Sequence, residues 1–274
     1  MKKTLCIFLS FLILITSFLA LPVSSQAATY KPDRKIYAEA YMLINLDDDS
    51  YPVVAQKNID ERLYPASLTK IVTAMVTLEN VKDVSVKTKM SQAAYDASVG
   101  TGAQVAGITV GEELSVDTLL YLTMVHSACD ACEVLAEFVG GTKENFVKMM
   151  NDWVKKVGCN DTNFTNPSGL HDDNHYTTAY DLYLIFNEAI KYDSFNEIIH
   201  MTSYQTTYYD KDGKAKELTV NNTNRFLKGD FQAPENITVI GGKTGTTNAA
   251  GHCLILLSRD VSGAPYISVI LNSS

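Results

Sequence analysis

Strand-like segments at both ends of the chain, with a succession of helices between them, predict an α+β protein built on one antiparallel sheet. Three observations carry that expectation. Residues 40–46 and 53–56 read as two short strands around the turn Asp47-Asp48-Asp49-Ser50. Several helical segments follow, the clearest of them an apolar stripe that ends at Gly158. Residues 238–246, 252–258 and 266–271 then run as three strands to the end of the chain, and joining them to the N-terminal hairpin makes one sheet. Composition agrees. The 274 residues are 46% hydrophobic, 20% charged and 9% aromatic, which describes a globular chain and excludes disordered, collagenous and polytopic membrane classes. That length suits one large domain or two small ones.

The first element stands apart from the fold. Lys2 and Lys3 precede an apolar run over residues 5–21, Pro22 breaks it, and Ser25-Gln26-Ala27 supplies small residues at cleavage spacing. A secretory signal peptide over residues 1–27 is the expectation, with the folded domain over 28–274 and action outside the cytoplasmic membrane. An uncleaved anchor is the alternative, but the run falls short of the ~20 residues that a span needs. No Cys follows the cleavage region, which argues against a lipid anchor. Cys6 leaves with the leader. The remaining Cys129, Cys132, Cys159 and Cys253 are too few for a disulfide scaffold, and the last two sit among apolar neighbours as ordinary buried thiols. Lys and Arg total 23 against 31 acids, a formal charge of -8 spread along the chain, so nucleic-acid binding is not expected.

After the hairpin, Pro65-Ala66-Ser67 opens a helix that places Leu68, Ile71, Val72, Met75 and Leu78 on one face. Ser115 caps a second helix over residues 116–124, and a third spans 130–139 and stops at Gly140-Gly141. Thr142 caps the next, whose stripe is Phe146, Met149, Met150, Trp153, Val154 and Val157. A loop rich in Asn, Asp and His covers 160–176. Thr178 with Asp181 starts a further helix, and Ser194 with Glu197 is expected to cap a short one. Residues 204–209 and 217–220 flank the turn Asp210-Lys211-Asp212-Gly213 as a hairpin.

Three short segments carry chemistry. Ser67-Leu68-Thr69-Lys70 puts a hydroxyl and an amine on one side of a helix, one turn apart. A serine attacks only when a base takes its proton, and a lysine can be that base if burial and neighbouring cations bring its pKa from ~10.4 toward neutrality. Alone the pattern is weak: roughly one arises by chance in a chain of this length, as a helix cap with a solvated lysine. Gly242-Lys243-Thr244-Gly245 lies on a strand, where Lys243 and Thr244 could hold a carboxylate and Gly245 lets two backbones approach; a strand end with a solvated lysine is the alternative. Between them, Ser127-Ala128-Cys129 occupies the loop joining two helices.

With these in order, the chain resembles the serine D-alanyl-D-alanine carboxypeptidases, the low-molecular-mass penicillin-binding proteins, whose motifs are Ser-x-x-Lys, Ser-x-Asn and Lys-Thr-Gly. The resemblance extends through residues 117–141, 162–171, 175–181 and 241–246, and covers the chain from about residue 35 onward. It implies a penicillin-binding-protein/β-lactamase-like fold: an antiparallel five-stranded sheet flanked by helices, with a helical subdomain. It implies that Ser67 attacks the carbonyl between two terminal D-alanines of a peptidoglycan pentapeptide, forming an acyl-enzyme, with β-lactams as covalent inhibitors. Lys70 takes the proton, Ser127 relays it to the leaving amine, and Lys243 supplies positive charge. The N–H groups of Ser67 and Thr246 form the oxyanion hole. Thr244 and Gly245 line the substrate strand, and Arg225 is a second anchor for the terminal carboxylate or else a surface arginine on a turn. No cofactor or metal is implied.

Two departures qualify the resemblance. The Asn of the second motif is Cys129 here; an amide both donates to a substrate carbonyl and accepts from Lys70, whereas a thiol does each poorly. Relatives usually continue into a covering helix and often a β-rich domain, for which this chain has no segment after its last strand. A weakened penicillin-binding homologue is therefore the alternative to an active carboxypeptidase. A class A β-lactamase is disfavoured, because no Glu-x-x-Leu-Asn segment follows the second motif. The Cys129-x-x-Cys132 pair lacks the βαβ setting of a redox site. A metal site with His126, His171 or His175 is an irregular alternative to plain helix-start cysteines.

Overall fold

The computed structural model describes residues 32, 35–49 and 52–274; the expected leader and Ser50 of the first turn lie outside the described residues. The chain begins with β1 (Ala38–Asn45) and β2 (Val53–Lys57), followed by a 3-10 turn (Ala66–Thr69) running into α1 (Lys70–Asn80). Next come β3 (Lys87–Lys89), α2 (Gln92–Ser98) and β4 (Glu113–Ser115). A helical run follows: α3 (Val116–Val125), α4 (Cys129–Gly140), α5 (Lys143–Val157), α6 (Ala179–Ala189) and α7 (Asp193–His200). The chain then forms β5 (Ser203–Tyr209), β6 (Ala215–Asn221), β7 (Ile237–Thr247), β8 (Gly251–Asp260) and β9 (Pro265–Ser273).

Five strands make the main antiparallel sheet in the order β2-β1-β9-β8-β7. The two ends of the chain meet in its middle, with Tyr41 opposite Ile270 and Leu43 opposite Ser268. Among the described residues β7 pairs with β8 alone, as an edge strand, and it packs against the 3-10 turn that opens α1. The 203–221 hairpin does not join this sheet. It pairs with β3 and β4 in a second, four-stranded sheet of order β3-β4-β5-β6. β3 and β4 have three residues each, too short to show any alternation in sequence, and they went unforeseen together with α2.

The capping residues behave as their chemistry dictates. Ser115 Oγ accepts from the N–H of Thr118, Thr142 Oγ1 from Asn145 and Thr178 Oγ1 from Asp181. Gly158, at φ +102°, ends α5 in the left-handed conformation. The short helix α7 is the exception: it starts at Asp193, its N-cap Tyr192 makes no side-chain cap bond, and Ser194 lies inside the first turn.

Burial explains why α1 controls the site. Every residue from Lys70 to Thr77 is buried, because α1 is packed by α3, α4, α5 and α6 at once. Leu68, Ile71, Val72 and Met75 are fully buried, and Leu78 is partly so. α6 lies against β1 and β9, and α7 against β7, closing the layers over the sheet. Such a helix cannot shift without disturbing the whole core, so the side chains at its N-terminus stand on a fixed base. No helix among the described residues is long and apolar enough to cross a membrane.

Candidate active site

Ser67 sits in the 3-10 turn that leads into α1, and the Lys70 amine reaches back to its hydroxyl at 3.1 Å. The turn is strained. Ala66 has φ +48°, a conformation that costs a non-glycine residue of order 1 kcal/mol and persists only when its surroundings hold it. Two glycines do so. A Cβ on Gly245 would lie 2.9 Å from the Ser67 nitrogen and 3.0 Å from the Pro65 oxygen, so β7 lies directly against the Ser67 backbone. On the other flank, a Cβ on Gly169 would lie 1.9 Å from the Ala66 oxygen.

Lys70 is fully buried and its three contacts define its position. Besides Ser67 Oγ, the amine approaches Cys129 Sγ at 3.4 Å and donates to the Ser168 carbonyl at 2.5 Å. Cys129 therefore occupies the position that faces the lysine, ready to accept from it. The chain reaches this point through a sharp reversal after α3: Ser127 takes φ +62°, Ala128 N–H returns to the Leu122 carbonyl, and Cys129 N–H donates to the Gln104 carbonyl.

Lys243 projects inward from β7, is 1% exposed, and donates to Ser127 Oγ and to the Thr244 carbonyl, both at 2.9 Å. Burial, and next the charge of Lys70, push Lys243 down to about 7. The three motifs thus meet through two sets of contacts, Ser67–Lys70–Cys129 and Ser127–Lys243, with Ser127 and Cys129 drawn from the same motif. Among the described residues neither lysine forms an ion pair with a carboxylate; their amines are held by hydroxyl, thiol and carbonyl groups instead. Two buried amines without a carboxylate partner destabilise a fold, and such groups concentrate at sites that transfer protons.

The remaining expected residues take different places. Thr244 Oγ1 shares a hydrogen bond with Thr223 Oγ1 at 2.6 Å, and the exposed Thr246 hydroxyl lies 3.2 Å from His252 Nδ1. Arg225 does not join the cluster: its guanidinium stacks 3.8 Å from the Phe231 ring centroid and faces Asp230 at 3.7 Å. All four cysteines of the described chain are free and buried, and burial pushes Cys132 up to about 12, so its thiol stays protonated. His126 pairs with Gln104, His171 packs edge-on against Tyr64, and His175 lies buried beside Thr69. Among the described residues no three His, Cys, Asp or Glu side chains gather as a metal site.

Sequence reasoning missed the residues that hold the cluster in place. Asn166 Oδ1 accepts from the N–H groups of Ser168, Gly169 and Leu170, which shapes the loop so that the Ser168 carbonyl meets Lys70. Thr73 on α1 clamps the same loop by donating to the Pro167 carbonyl at 2.5 Å. Asp130, fully buried at the start of α4, accepts from Ala106, Gly107 and Ile108 N–H and so fixes the segment carrying Gln104 against Cys129. The Asn-Pro turn signal at 166–167 could have flagged the loop. Nothing local marks this role of Asp130, because Ala106, Gly107 and Ile108 lie more than twenty residues before it.

This arrangement has known counterparts. Residues 25–274 match the peptidase S11 family, described as D-alanyl-D-alanine carboxypeptidase. The D-alanyl-D-alanine carboxypeptidase DacF of Bacillus subtilis is 36% identical over 79% of this chain and 53% of its own length. DacC of Escherichia coli is 33% identical over 93% of this chain and 62% of its own. The chain thus spans between half and two thirds of these relatives. Among solved structures, the Streptomyces K15 DD-transpeptidase superposes with a TM-score of 0.81 at 28% identity, covering 90% of this chain and 93% of that one.

Proposed function

The chain belongs to the peptidase S11 family of D-alanyl-D-alanine carboxypeptidases, and from that premise we propose that it removes the terminal D-alanine of peptidoglycan stem peptides through an acyl-enzyme on Ser67. The observation that carries the reading is the pair of serine–lysine contacts, Ser67 with Lys70 and Ser127 with Lys243, drawn from three distant segments onto one buried site.

The chemistry follows from those contacts. Ser67 Oγ attacks the penultimate D-alanine carbonyl while its proton passes to Lys70 Nζ. The negative oxygen that forms is held by the N–H groups of Ser67 and Thr246, the interaction that commonly contributes most in acyl transfer. The C–N bond then breaks as the departing amine takes a proton from Ser127 Oγ, and Ser127 is resupplied by the proton that Lys70 took from Ser67, which leaves both groups as they began. Water attacks the ester, takes the acyl group and frees Ser67. An amine in place of that water would give transpeptidation, so analysing the products separates the two acceptors.

Lys243 supports a role for the substrate's own carboxylate. Its depressed proton affinity leaves it poised near neutrality, and an arriving carboxylate favours its charged form. Peptidoglycan lies outside the cytoplasmic membrane, and the leader expected at residues 1–27 would carry the domain there.

The decisive experiment is intact-mass measurement after incubation with penicillin. The wild type gains one penicillin mass and the Ser67→Ala protein gains none; an adduct on Ser67→Ala would remove the mechanism. Release of D-alanine from a diacetyl-Lys-D-Ala-D-Ala peptide then distinguishes an active peptidase from a homologue that only binds.

A further inference from the structure

The proposed mechanism makes no use of His175, although it is 2% exposed and lies one hydrogen-bonded residue away from the nucleophile's turn. Its two ring nitrogens have opposite duties. Nδ1 accepts from the Thr165 N–H at 3.1 Å and also faces the Thr165 hydroxyl and the Asn166 amide, so it carries no proton. The proton must then sit on Nε2, 2.8 Å from Thr69 Oγ1. The Thr69 hydroxyl, receiving that hydrogen bond, donates its own proton to the Ala66 carbonyl at 2.8 Å. A one-way chain results: Thr165 N–H to His175, His175 to Thr69, Thr69 to Ala66.

The terminus of that chain matters because of peptide planarity. The Ala66 carbonyl and the Ser67 N–H belong to one rigid amide, pointing to opposite sides. Whatever fixes the Ala66 oxygen therefore aims the Ser67 N–H, the group assigned above to the oxyanion hole. The amide needs fixing, because Ala66 occupies its strained positive-φ conformation. We propose that His175 is a positioning residue which, through Thr69, aims the Ser67 N–H at the oxyanion.

The ring's surroundings keep it suited to this duty. Burial pushes His175 down to about 4; Lys70 and His171 act in the same direction and Asp172 against it. The Phe164 ring packs against the His175 ring at 5.2 Å between centroids, tilted by 57°. The imidazole is thus neutral, with Nδ1 as acceptor and Nε2 as donor, wherever cell-wall enzymes work. A protonated ring would turn a second N–H toward the Thr165 N–H and break the chain at its origin.

This inference rests on the acyl-enzyme reading, and its test reads both. Two polar variants separate the duties of the ring. His175→Gln places an N–H donor at the reach of Nε2, and His175→Asn keeps an acceptor near Nδ1 but cannot reach Thr69. Thr69→Val and Thr69→Ser form a parallel pair, the first cutting the relay and the second keeping its hydroxyl. Acylation by penicillin is followed by intact mass over a range of concentrations, giving the limiting acylation rate and the pre-covalent dissociation constant separately, with Tm recorded for each protein. Complete loss of an oxyanion donor costs ~100-fold or more, so a misaimed one should cost at least ~10-fold. The expected result is that His175→Asn and Thr69→Val lose ~10-fold or more in limiting rate with under ~3-fold change in dissociation constant. His175→Gln and Thr69→Ser should remain within ~3-fold of wild type. If His175→Asn acylates as fast as wild type, or His175→Gln is as slow as His175→Asn, the proposal is wrong. A loss confined to Tm would likewise reduce His175 to a packing residue. Absence of any adduct on the wild type would instead defeat the acyl-enzyme reading, a separate failure.

Discussion

Replacing Gly169 with Ala tests how tightly the fold holds Ser67, the proposed nucleophile. The new Cβ would stand 1.9 Å from the Ala66 oxygen and 2.4 Å from its carbonyl carbon. Ordinary carbon–oxygen contacts begin at about 3.3 Å, so the Ala66–Ser67 amide must retreat by over ~1 Å. It has no slack in that direction, because a Cβ on Gly245 would already meet the Ser67 nitrogen at 2.9 Å from the other flank. A displacement of ~1 Å at a reacting group costs ~100-fold in rate, equivalent to about 3 kcal/mol. Gly169 also has φ +84°, so alanine adds of order 1 kcal/mol of backbone strain that has nothing to do with catalysis. Gly263→Ala separates the two effects. Its φ is +90° but a Cβ there meets nothing within 4 Å, so it bears the strain without the collision. Penicillin acylation followed by intact mass, with Tm for each protein, gives the answer: both variants melt earlier, but only Gly169→Ala acylates ~100-fold more slowly. A folded Gly169→Ala protein acylating within ~3-fold of wild type would refute the claim that the flanking glycines hold Ser67 in place.

The other expectations are narrower. Lys70→Arg keeps a cation but cannot give up its proton, so acylation should fall ~100-fold or more, whereas Lys243→Arg should be milder because a guanidinium still binds carboxylate; equal losses would contradict the division of labour. With Lys243 brought down to about 7, its charged form prevails below that pH and is lost above it. The second-order acylation constant should therefore decline as pH rises through about 7, and Lys243→Arg should move that decline to higher pH; a profile identical in both proteins would disprove the assignment. Cys129→Asn restores a group able to donate as well as accept beside Lys70, so peptide turnover should rise by roughly one order of magnitude with Tm little changed. A variant that is both slower and less stable would show that the thiol is not standing in for an amide.

Sequence alone was enough wherever the controlling interactions are local or repeat with a short period. The caps Ser115, Thr142 and Thr178 each satisfy an N–H group three residues ahead, so their helices were legible, as were the strands of the main sheet. Ser194 shows the limit of the same rule, since a favourable capping pattern lost to a start two residues earlier. The three motifs were identifiable by residue type, spacing and resemblance, because the Ser67–Lys70 contact spans a single turn.

Tertiary structure decided everything that depends on partners distant in the chain. The hairpin of β5 and β6 carries no mark in its sequence that sends it to β4 rather than to the main sheet; the three-residue strands that receive it are visible only once paired. Lys243 reads as readily as a solvated lysine until β7 turns it into the interior beside Ser127, where burial and the charge of Lys70 lower its proton affinity. Arg225 fits an anchoring role in one dimension and is held by Asp230 and Phe231 in three. Asp130, Asn166 and His175 bear no catalytic spacing at all. They matter because backbone N–H groups and hydroxyls from other segments converge on them, and a buried polar atom takes its meaning from the partner that satisfies it.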